Sequence, residues 1–380
     1  MSTNFLLRLA LVALLFSATT RAATIGPPSE ELVKTLGLSP FYAKHLDVEG
    51  FPIVGSAKVS DYAFREAEYL MRKTIGHRPD ILHALAANHV RLVIMAPTEM
   101  TTNVPEHSHM KPAAYWDRRA RGLGANKKCP VVSCGEENLL CLPGDPYRKE
   151  NIFIHEFAHA IHQMGLSEVD PTFDDRLMET YEAAMKTGLW KGTYSSTNKQ
   201  EYWAEAVQCW FDCAGSHDFE HGDVDTREKI KAYDPALAKL LTEIYTDGPW
   251  RYVRPAERAP EERTHLAGFD ISKAPHFAWP KFPPLESQAT PLSWLAPDKI
   301  PDASAKSNTA TAILFMNKRT NPLEIDWITF EGKHRKDTLL RPGANLMLDT
   351  FSGHAWLVLE DGKPLGGVVA ADDVGLVIIK

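Results

Sequence analysis

The sequence has no cluster of basic residues. Its 42 lysines and arginines are outnumbered by 49 aspartates and glutamates, which gives the 380-residue chain a formal charge of −7. A nucleic-acid-binding protein needs a basic patch that neutralises phosphates, so we do not expect nucleic acid as a partner. With 44% hydrophobic and 24% charged residues, the composition is that of a globular chain, and its length predicts two or three domains.

Long hydrophobic runs are also absent. The apolar run from Leu9 to Ala18 follows Arg8 and precedes small residues, which is typical of a cleaved secretory signal. This run is too short to span a membrane comfortably, and no later run approaches the required length. We therefore predict a signal peptide at residues 1–22, a secreted or periplasmic mature protein, and no membrane span after cleavage. An uncleaved anchor is the alternative.

Cysteine is scarce, and the five present are Cys129, Cys134, Cys141, Cys209 and Cys213. They include no C-x-x-C pair, which argues against a cysteine-bound zinc ion. Because an exported chain permits disulfides, we expect one or two bridges, with Cys129, Cys134 and Cys141 supplying one of them. The odd count leaves at least one cysteine unpaired within a monomer.

The most informative stretch is residues 145–165, which we predict to be helical. Asp145 suits the N-cap, Pro146 suits the first helical position, and Gly165 is placed to end the helix. Apolar residues between these limits supply a buried face. Any polar side chains one turn apart on this helix would therefore share a face.

Inside this helix His155, Glu156 and His159 form an H-E-x-x-H motif. The two histidines are one turn apart, so both imidazoles leave the same face and can bind one metal ion. Glu156 is badly placed to be a third ligand, but it can take the proton of a water molecule at the metal, as a hydrolase requires. Because so short a motif also arises by chance, it needs a third ligand to support it.

A second predicted helix supplies candidates for that ligand. Asn198 can cap it, and Glu201 and Glu205 fall one turn apart on one face. A catalytic zinc site needs three protein ligands, and its histidines need hydrogen-bond acceptors that fix their orientation. One glutamate can therefore bind the metal while the other orients a histidine. Two solvated glutamates are the alternative interpretation.

The H-E-F-A-H sequence, followed by a helix with E-Y-W-A-E, resembles the gluzincin metallopeptidases and specifically the catalytic domain of the anthrax lethal factor group. This resemblance is specific at the motifs and extends from about residue 61 to residue 249. It implies that Glu201 is the zinc ligand and that Glu205 supports a histidine. It also implies that Tyr194, a short way before the ligand, stabilises the oxyanion, which suits a phenol donor.

The other elements ahead of the motif predict an α+β scaffold of zincin-like type. Residues 61–75 and 79–87 read as helices, and residues 90–95 read as a buried strand. A strand at residues 138–142 would enter the active site, and by resemblance it is the candidate for pairing with extended substrate. A plain core strand is the alternative. Residues 116–125 are predicted to form a surface turn with a flexible loop.

Five further histidines are not predicted to bind metal. His107 and His109 follow a proline in a polar segment, which favours a solvated loop. His162 is off the face that the motif histidines share, and His217 and His221 are flanked by glycines.

The C-terminal third divides into two regions. Prolines recur from residue 254 to residue 308, which indicates an extended linker that packs locally through Phe277, Trp279 and Trp294. Residues 309–380 contain short β-rich runs separated by turn dipeptides, which indicates a small β-sandwich. We therefore predict an α+β, zincin-like metallopeptidase domain at residues 23–253 and a small all-β sandwich domain after the linker.

This tail resembles the β domain of the von Hippel-Lindau tumour suppressor at the sequences W-I-T-F-E-G, L-R-P-G and T-F-S-G-H-A-W. The resemblance implies a pocket for hydroxyproline, and the matching positions here include Trp327, Thr350, His354 and Trp356. The family's pocket tyrosine and one pocket histidine are replaced, and these departures put hydroxyproline recognition in doubt. The replacing residues are Asp337 and Asp349. Core aromatic residues of an ordinary sandwich are the alternative interpretation.

Together these features predict a secreted zinc-dependent endopeptidase with one Zn²⁺ ion per chain. His155, His159 and Glu201 would bind the metal, Glu156 would act as general base and Tyr194 would stabilise the oxyanion. The expected partners are a protein or peptide substrate and a protein ligand of the C-terminal sandwich. The sandwich would serve either to bind a protein or to position substrate. A binding or adhesion protein with a structural or vestigial zinc site is the alternative, and the motif also permits a zinc hydrolase of other substrates.

Overall fold

The computed structural model describes residues 24–217 and 221–380 of the chain. The predicted signal peptide lies outside these residues. Among the helices that the structure describes, none is both long and apolar enough to cross a membrane. The described chain combines helices and sheets and ends in a β-rich domain.

A mixed sheet forms the centre of the first region. Its strands are β1 (Lys44–Val48), β2 (Phe51–Gly55), β3 (Arg91–Met95), β4 (Gly122–Leu123) and β5 (Val131–Gly135), in the order β1-β2-β3-β5-β4. β2, β3 and β5 run parallel, whereas β1 and β4 are antiparallel to their neighbours. β3 is buried along its whole length, as expected for a strand covered on both faces. Because β4 stands last in the strand order, it is an edge strand of this sheet.

Helices surround this sheet, some packed on its strands and others on neighbouring helices. They are α1 (Glu30–Leu36), α2 (Asp61–Ile75), α3 (Pro79–Ala87), α4 (Ala113–Arg119), α5 (Glu136–Leu139), α6 (Ile152–Ala160), α7 (Ser167–Val169), α8 (Phe173–Thr187), α9 (Lys199–Trp210), α10 (Arg227–Tyr233) and α11 (Pro235–Tyr245). The predictions for α2 and α3 are confirmed. So is the cap of α9, since Asn198 Oδ1 accepts a hydrogen bond from the Glu201 amide at 2.9 Å.

The predicted limits of the motif helix are wrong. α6 begins only at Ile152, because Asn151 caps it by accepting the Ile154 amide at 3.0 Å. The helix also continues past residue 165, through a π-helix at Ile161–Leu166 and then α7. Gly165 serves close packing instead of termination, since a Cβ atom there would lie 2.9 Å from Ile81 Cγ2 of α3.

The predicted strand at residues 138–142 is also wrong. These residues include the end of α5, and Asn138 binds neighbouring main-chain groups: its amide nitrogen donates to Glu150 O at 2.9 Å and its oxygen accepts the Ile152 amide at 2.7 Å. The segment predicted to be a surface turn instead contains α4 and β4. Arg121 is fully buried there and pairs with buried Glu137 at 2.5 Å, a contact whose loss would leave a charge unpaired in the core.

Residues 254–308 form short 3₁₀ turns that pack against both neighbouring regions. Phe277 is only 1% exposed, and the Arg121 guanidinium lies 4.8 Å from its ring centroid. Trp279 and Trp294 are exposed. A short strand, β6 (Thr290–Pro291), runs parallel to the last strand of the chain.

The C-terminal region forms a sandwich of two four-stranded sheets, β10-β7-β13-β6 and β12-β11-β8-β9. The strands are β7 (Ala310–Asn317), β8 (Leu323–Ile328), β9 (His334–Leu340), β10 (Asn345–Phe351), β11 (Ala355–Glu360), β12 (Lys363–Val369) and β13 (Gly375–Ile379). Phe315 of one sheet and Ile325, Trp356 and Val358 of the other are buried together in one apolar cluster. The predicted β-rich domain is thus confirmed.

The expectation of disulfides is wrong. All five cysteines lie in the described residues and all are free thiols. Cys134, Cys209 and Cys213 are buried in the core, and burial raises the pKa of each thiol well above its ordinary value. Protonated and shielded thiols are poor nucleophiles, so these cysteines act as small core residues.

We expect the purified protein to take up five equivalents of iodoacetamide when it is denatured without reductant, because no thiol is consumed in a bridge. Intact-mass spectrometry counts the adducts. In the native state the three core thiols should react far more slowly than Cys129. Three or fewer adducts under denaturing conditions would contradict the free-thiol arrangement.

Candidate metal and catalytic site

Two helices bring three potential metal ligands together. His155 and His159 project from α6, and Glu201 projects from the first turn of α9. The two Nε2 atoms are 3.2 Å apart, and Glu201 Oε2 lies 3.2 Å from one and 3.3 Å from the other. Two imidazole nitrogens and one carboxylate oxygen are a donor set that zinc accepts, and this is the one such cluster found among the described residues.

The charge of the cluster favours a cation. Burial alone would lower the pKa of His155, but the carboxylates of Glu201, Glu156 and Glu205 outweigh it and raise that pKa to about 10. Burial would raise the pKa of Glu201, but His155 and His159 outweigh it and hold that pKa well below its ordinary value. A bound metal ion would supply this positive charge directly.

His155 is oriented by a second layer of contacts. Its Nδ1 donates to Gln208 Oε1 at 2.9 Å and lies 3.4 Å from Glu205 Oε1. The Gln208 amide in turn donates to Asn151 O at 3.2 Å, which fixes the amide. Gln208 was missed by the sequence analysis, although its position seven residues after Glu201 places it on the same face of α9. Such partners fix the orientation of ligand histidines.

Glu205 does not approach the three-atom cluster as a ligand. Its other oxygen lies 3.6 Å from His221 Nε2. Burial raises the pKa of Glu205 to about 7, although His155 and His221 oppose this. His221 thus lines the cleft without joining the donor cluster, whereas His217 pairs with Asp223 at 2.8 Å.

Glu156 and Tyr194 face the same cleft as the donor cluster, a cavity of about 380 Å³. Burial raises the pKa of Glu156, against the opposing effect of His155 and His159. Burial likewise raises the pKa of Tyr194 well above its ordinary value, so its phenol stays protonated and can donate a hydrogen bond. Arg119, which sequence reasoning also missed, interacts with Tyr194 from the opposite wall.

The edge strand β4 forms one wall of the cleft. Glycine is required here because the strand lies directly against α6. A Cβ atom at Gly122 would lie 2.5 Å from Ile152 Cγ2, and one at Gly124 would lie 2.7 Å from His159 Cβ. The outer edge of β4 is thereby held beside the donor cluster.

The other singled-out histidines lie elsewhere. His107 is buried, so the predicted solvated loop is wrong at this residue; its Nε2 lies 3.4 Å from Ser133 Oγ. His162 packs inside the protein, and its Nε2 lies 2.9 Å from Asp174 Oδ1.

The sandwich residues predicted to form a pocket also lie together. Trp356 Nε1 donates to Thr350 Oγ1 at 3.2 Å, and that hydroxyl lies 3.1 Å from His354 Nδ1. The ring of Trp327 lies 5.4 Å from that of His354, centroid to centroid. His354 Nε2 is buried and has no hydrogen-bond partner among the described residues. Burial raises the pKa of Asp349, against the opposing effect of His109 and Lys128 of the first region.

Comparison with known proteins identifies the C-terminal region. Residues 303–370 match the family model of the VHL beta domain. No curated protein matches the chain. Among solved structures, the Pro-Pro endopeptidase PPEP-2 from Paenibacillus alvei is similar over 51% of this chain and 96% of its own, with 18% identity and a TM-score of 0.30. The family match supports a von Hippel-Lindau-like domain in this region.

We expect substitutions of Glu201 and Glu205 to change zinc binding to different extents. Glu201→Gln removes a donor oxygen's charge from the cluster, so we expect the zinc bound per chain to fall below a tenth of the wild-type value. Glu205→Gln changes only a partner of His155 and should retain most of the zinc, with affinity reduced about 10- to 100-fold. Elemental analysis after dialysis against a weak chelator measures both. Equal zinc loss in the two variants would contradict the assignment.

Proposed function

We propose that the chain is a secreted zinc endopeptidase of zincin-like fold and gluzincin type. One Zn²⁺ ion would be held by His155, His159 and Glu201. The observation that carries the proposal is the convergence of these three donors in an open cleft that also holds Glu156 and Tyr194. The α+β region and the H-E-x-x-H spacing support it.

The donor set fits a catalytic metal better than a structural one. A structural zinc ion usually has four protein ligands, whereas a catalytic ion has three and an open position. The chemistry that zinc supplies in such a site is Lewis acidity, which polarises a carbonyl group and makes water more acidic. Gln208 and Glu205 would fix His155 so that its Nε2 lone pair faces the ion.

Glu156 is the proposed general base. Its carboxylate leaves the same helix as the ligands and faces the cleft, where it would take a proton from the attacking water. Its raised pKa suits the second half of the reaction, in which the same group passes that proton to the leaving amine. Tyr194 would donate a hydrogen bond to the oxyanion as the carbonyl carbon becomes tetrahedral.

Peptide is the proposed substrate because the outer edge of β4, which has no partner strand among the described residues, borders the cleft. An extended peptide can add to the edge of β4 through main-chain hydrogen bonds. Such recognition depends little on side chains, which suits an endopeptidase. A zinc hydrolase of other substrates would gain nothing from this edge.

We expect Glu156→Gln to retain zinc and lose peptide hydrolysis, because the change removes the base and keeps the ligands. A loss of kcat of at least about 10²- to 10⁴-fold corresponds to general-base catalysis. Cleavage of a peptide library, followed by mass spectrometry, measures the effect. The matched control is Glu168→Gln, which changes an exposed residue of α7 outside the cleft. This variant should cleave peptides at the wild-type rate. Undiminished cleavage by Glu156→Gln would defeat the mechanism.

We further propose that the sandwich is a protein-binding or substrate-positioning module. Trp327, Thr350, His354 and Trp356 would form its pocket, in which His354 Nε2 has no hydrogen-bond partner among the described residues. Aromatic walls with a few polar groups are typical of ligand pockets. The binding or adhesion alternative differs in making this pocket the whole function.

Binding by this pocket is tested in the Glu156→Gln background, where bound peptide is not cleaved. We expect labelled peptides that contain proline or hydroxyproline to bind, and Trp327→Ala to weaken binding at least about tenfold, as for an aromatic anchor. Trp294→Ala, which removes an exposed tryptophan outside the pocket, is the control. Fluorescence anisotropy reports the affinities. Equal binding by Trp327→Ala and the control would refute the pocket.

A further inference from the structure

The β-sandwich contacts two walls of the proposed catalytic cleft. One wall is α4, whose Trp116 and Arg119 line the cleft, and the other is the segment that carries Tyr194. These walls interact through Arg119 and Tyr194. Each wall also makes a defined contact with the sandwich.

The contact with α4 is a buried apolar one. Tyr115 is 7% exposed and packs in one cluster with Leu314, Met316 and Met347 of the sandwich. Its hydroxyl accepts a hydrogen bond from the Met347 amide at 3.1 Å. Because Tyr115 precedes Trp116 in the same helix, the sandwich fixes the position of this wall.

The contact with the other wall includes a hydrogen bond from a turn of the sandwich. Arg341 Nη2 donates to Gly192 O at 2.8 Å, two residues before Tyr194. Arg341 of the L-R-P-G sequence is the first residue of a β-turn over residues 341–344, in which the Ala344 amide donates to Arg341 O at 3.1 Å. Proline at the second position and Gly343 with φ of +75° at the third suit a type II turn.

The segment that receives this bond closes on itself, since the Thr193 amide and hydroxyl both donate to Trp190 O, at 3.0 Å and 2.7 Å. Trp190 is buried and donates from Nε1 to Asp234 at 2.9 Å, and the Tyr194 turn leads directly into α9. Gly192 lies exposed between them, with φ of +83°, and a Cβ atom there would meet nothing within 4 Å. The hydrogen bond from Arg341 therefore holds the exposed middle of the segment.

We infer that the β-sandwich is a structural part of the catalytic cleft and that Arg341 is a positioning residue that acts through Tyr194. This inference rests on the proposed peptidase function. A displacement of about 1 Å in a group that contacts the reacting atoms costs up to about 10²-fold in rate. An incidental surface hydrogen bond would instead leave the rate unchanged.

The kinetic test is a double-mutant cycle. We expect Arg341→Ala to lower kcat about tenfold with little change in KM, and Arg341→Lys to recover most of the loss because an ammonium group can still donate to Gly192 O. In a Tyr194→Phe background, Arg341→Ala should have no further effect, since the group through which it acts is gone. Additive effects, or wild-type kcat in Arg341→Ala, would overturn the inference.

The matched control is Arg319→Ala. Arg319 also donates to a main-chain carbonyl, Lys380 O at 2.9 Å, and pairs with Glu360 at 3.0 Å, but it does so within the sandwich. If loss of sandwich stability alone lowered activity, this variant would show it too. We expect normal kcat from Arg319→Ala. A loss equal to that of Arg341→Ala would overturn the positioning role.

A second readout is independent of peptide hydrolysis. Amide hydrogen exchange of peptides that cover residues 190–196 should be at least severalfold faster in Arg341→Ala than in the wild type and in Arg319→Ala, at equal zinc content. This result would support the tether even if no peptide substrate were cleaved, so failure of the proposed function is distinguished from failure of this inference. Unchanged exchange in Arg341→Ala would overturn it.

Discussion

The close approach of three electron-pair donors, from His155, His159 and Glu201, is the constraint on which the rest of the structure depends. Two imidazole nitrogens and one carboxylate oxygen lie within 3.3 Å of one another, and such atoms tolerate this proximity only with a shared proton or cation between them. The fold supplies the remaining conditions. Helices α6 and α9 fix the donors, Gln208 fixes one ring, and glycines let the edge strand approach the ligand helix.

Both the first region and the C-terminal sandwich contribute contacts that position the cleft around the donor cluster. The sandwich matches the family model of the VHL beta domain, yet its sheet also packs on α4, which lines the cleft, and its L-R-P-G turn reaches the segment of Tyr194. A binding module and a part of the catalytic wall are compatible roles, because the Trp327 pocket uses residues other than those at the interface. The proline-rich segment between the regions adds Phe277 beneath Arg121, which steadies the strand beside the ligands.

Sequence reasoning located what depends on local spacing. The i to i+4 pairs of α6 and α9 and the cap at Asn198 follow from helical periodicity, and the short strands of the tail follow from β-rich runs between turn dipeptides. It missed what depends on distant contacts. The edge strand at Gly122 is two residues long and has no pattern of its own, and Gly165 resembles a helix end until α3 is known to pack against it. Arg341 is an ordinary turn residue until its partner Gly192 is seen.

The most direct test of the central claim is the coordination of zinc in the loaded protein, measured by X-ray absorption at the zinc edge with and without a peptide hydroxamate. We predict two imidazole nitrogens, one carboxylate and a non-protein ligand that the hydroxamate replaces. Such a spectrum would mean an open, reactive position. Four protein ligands that the hydroxamate leaves unchanged would mean a structural ion and would contradict the peptidase.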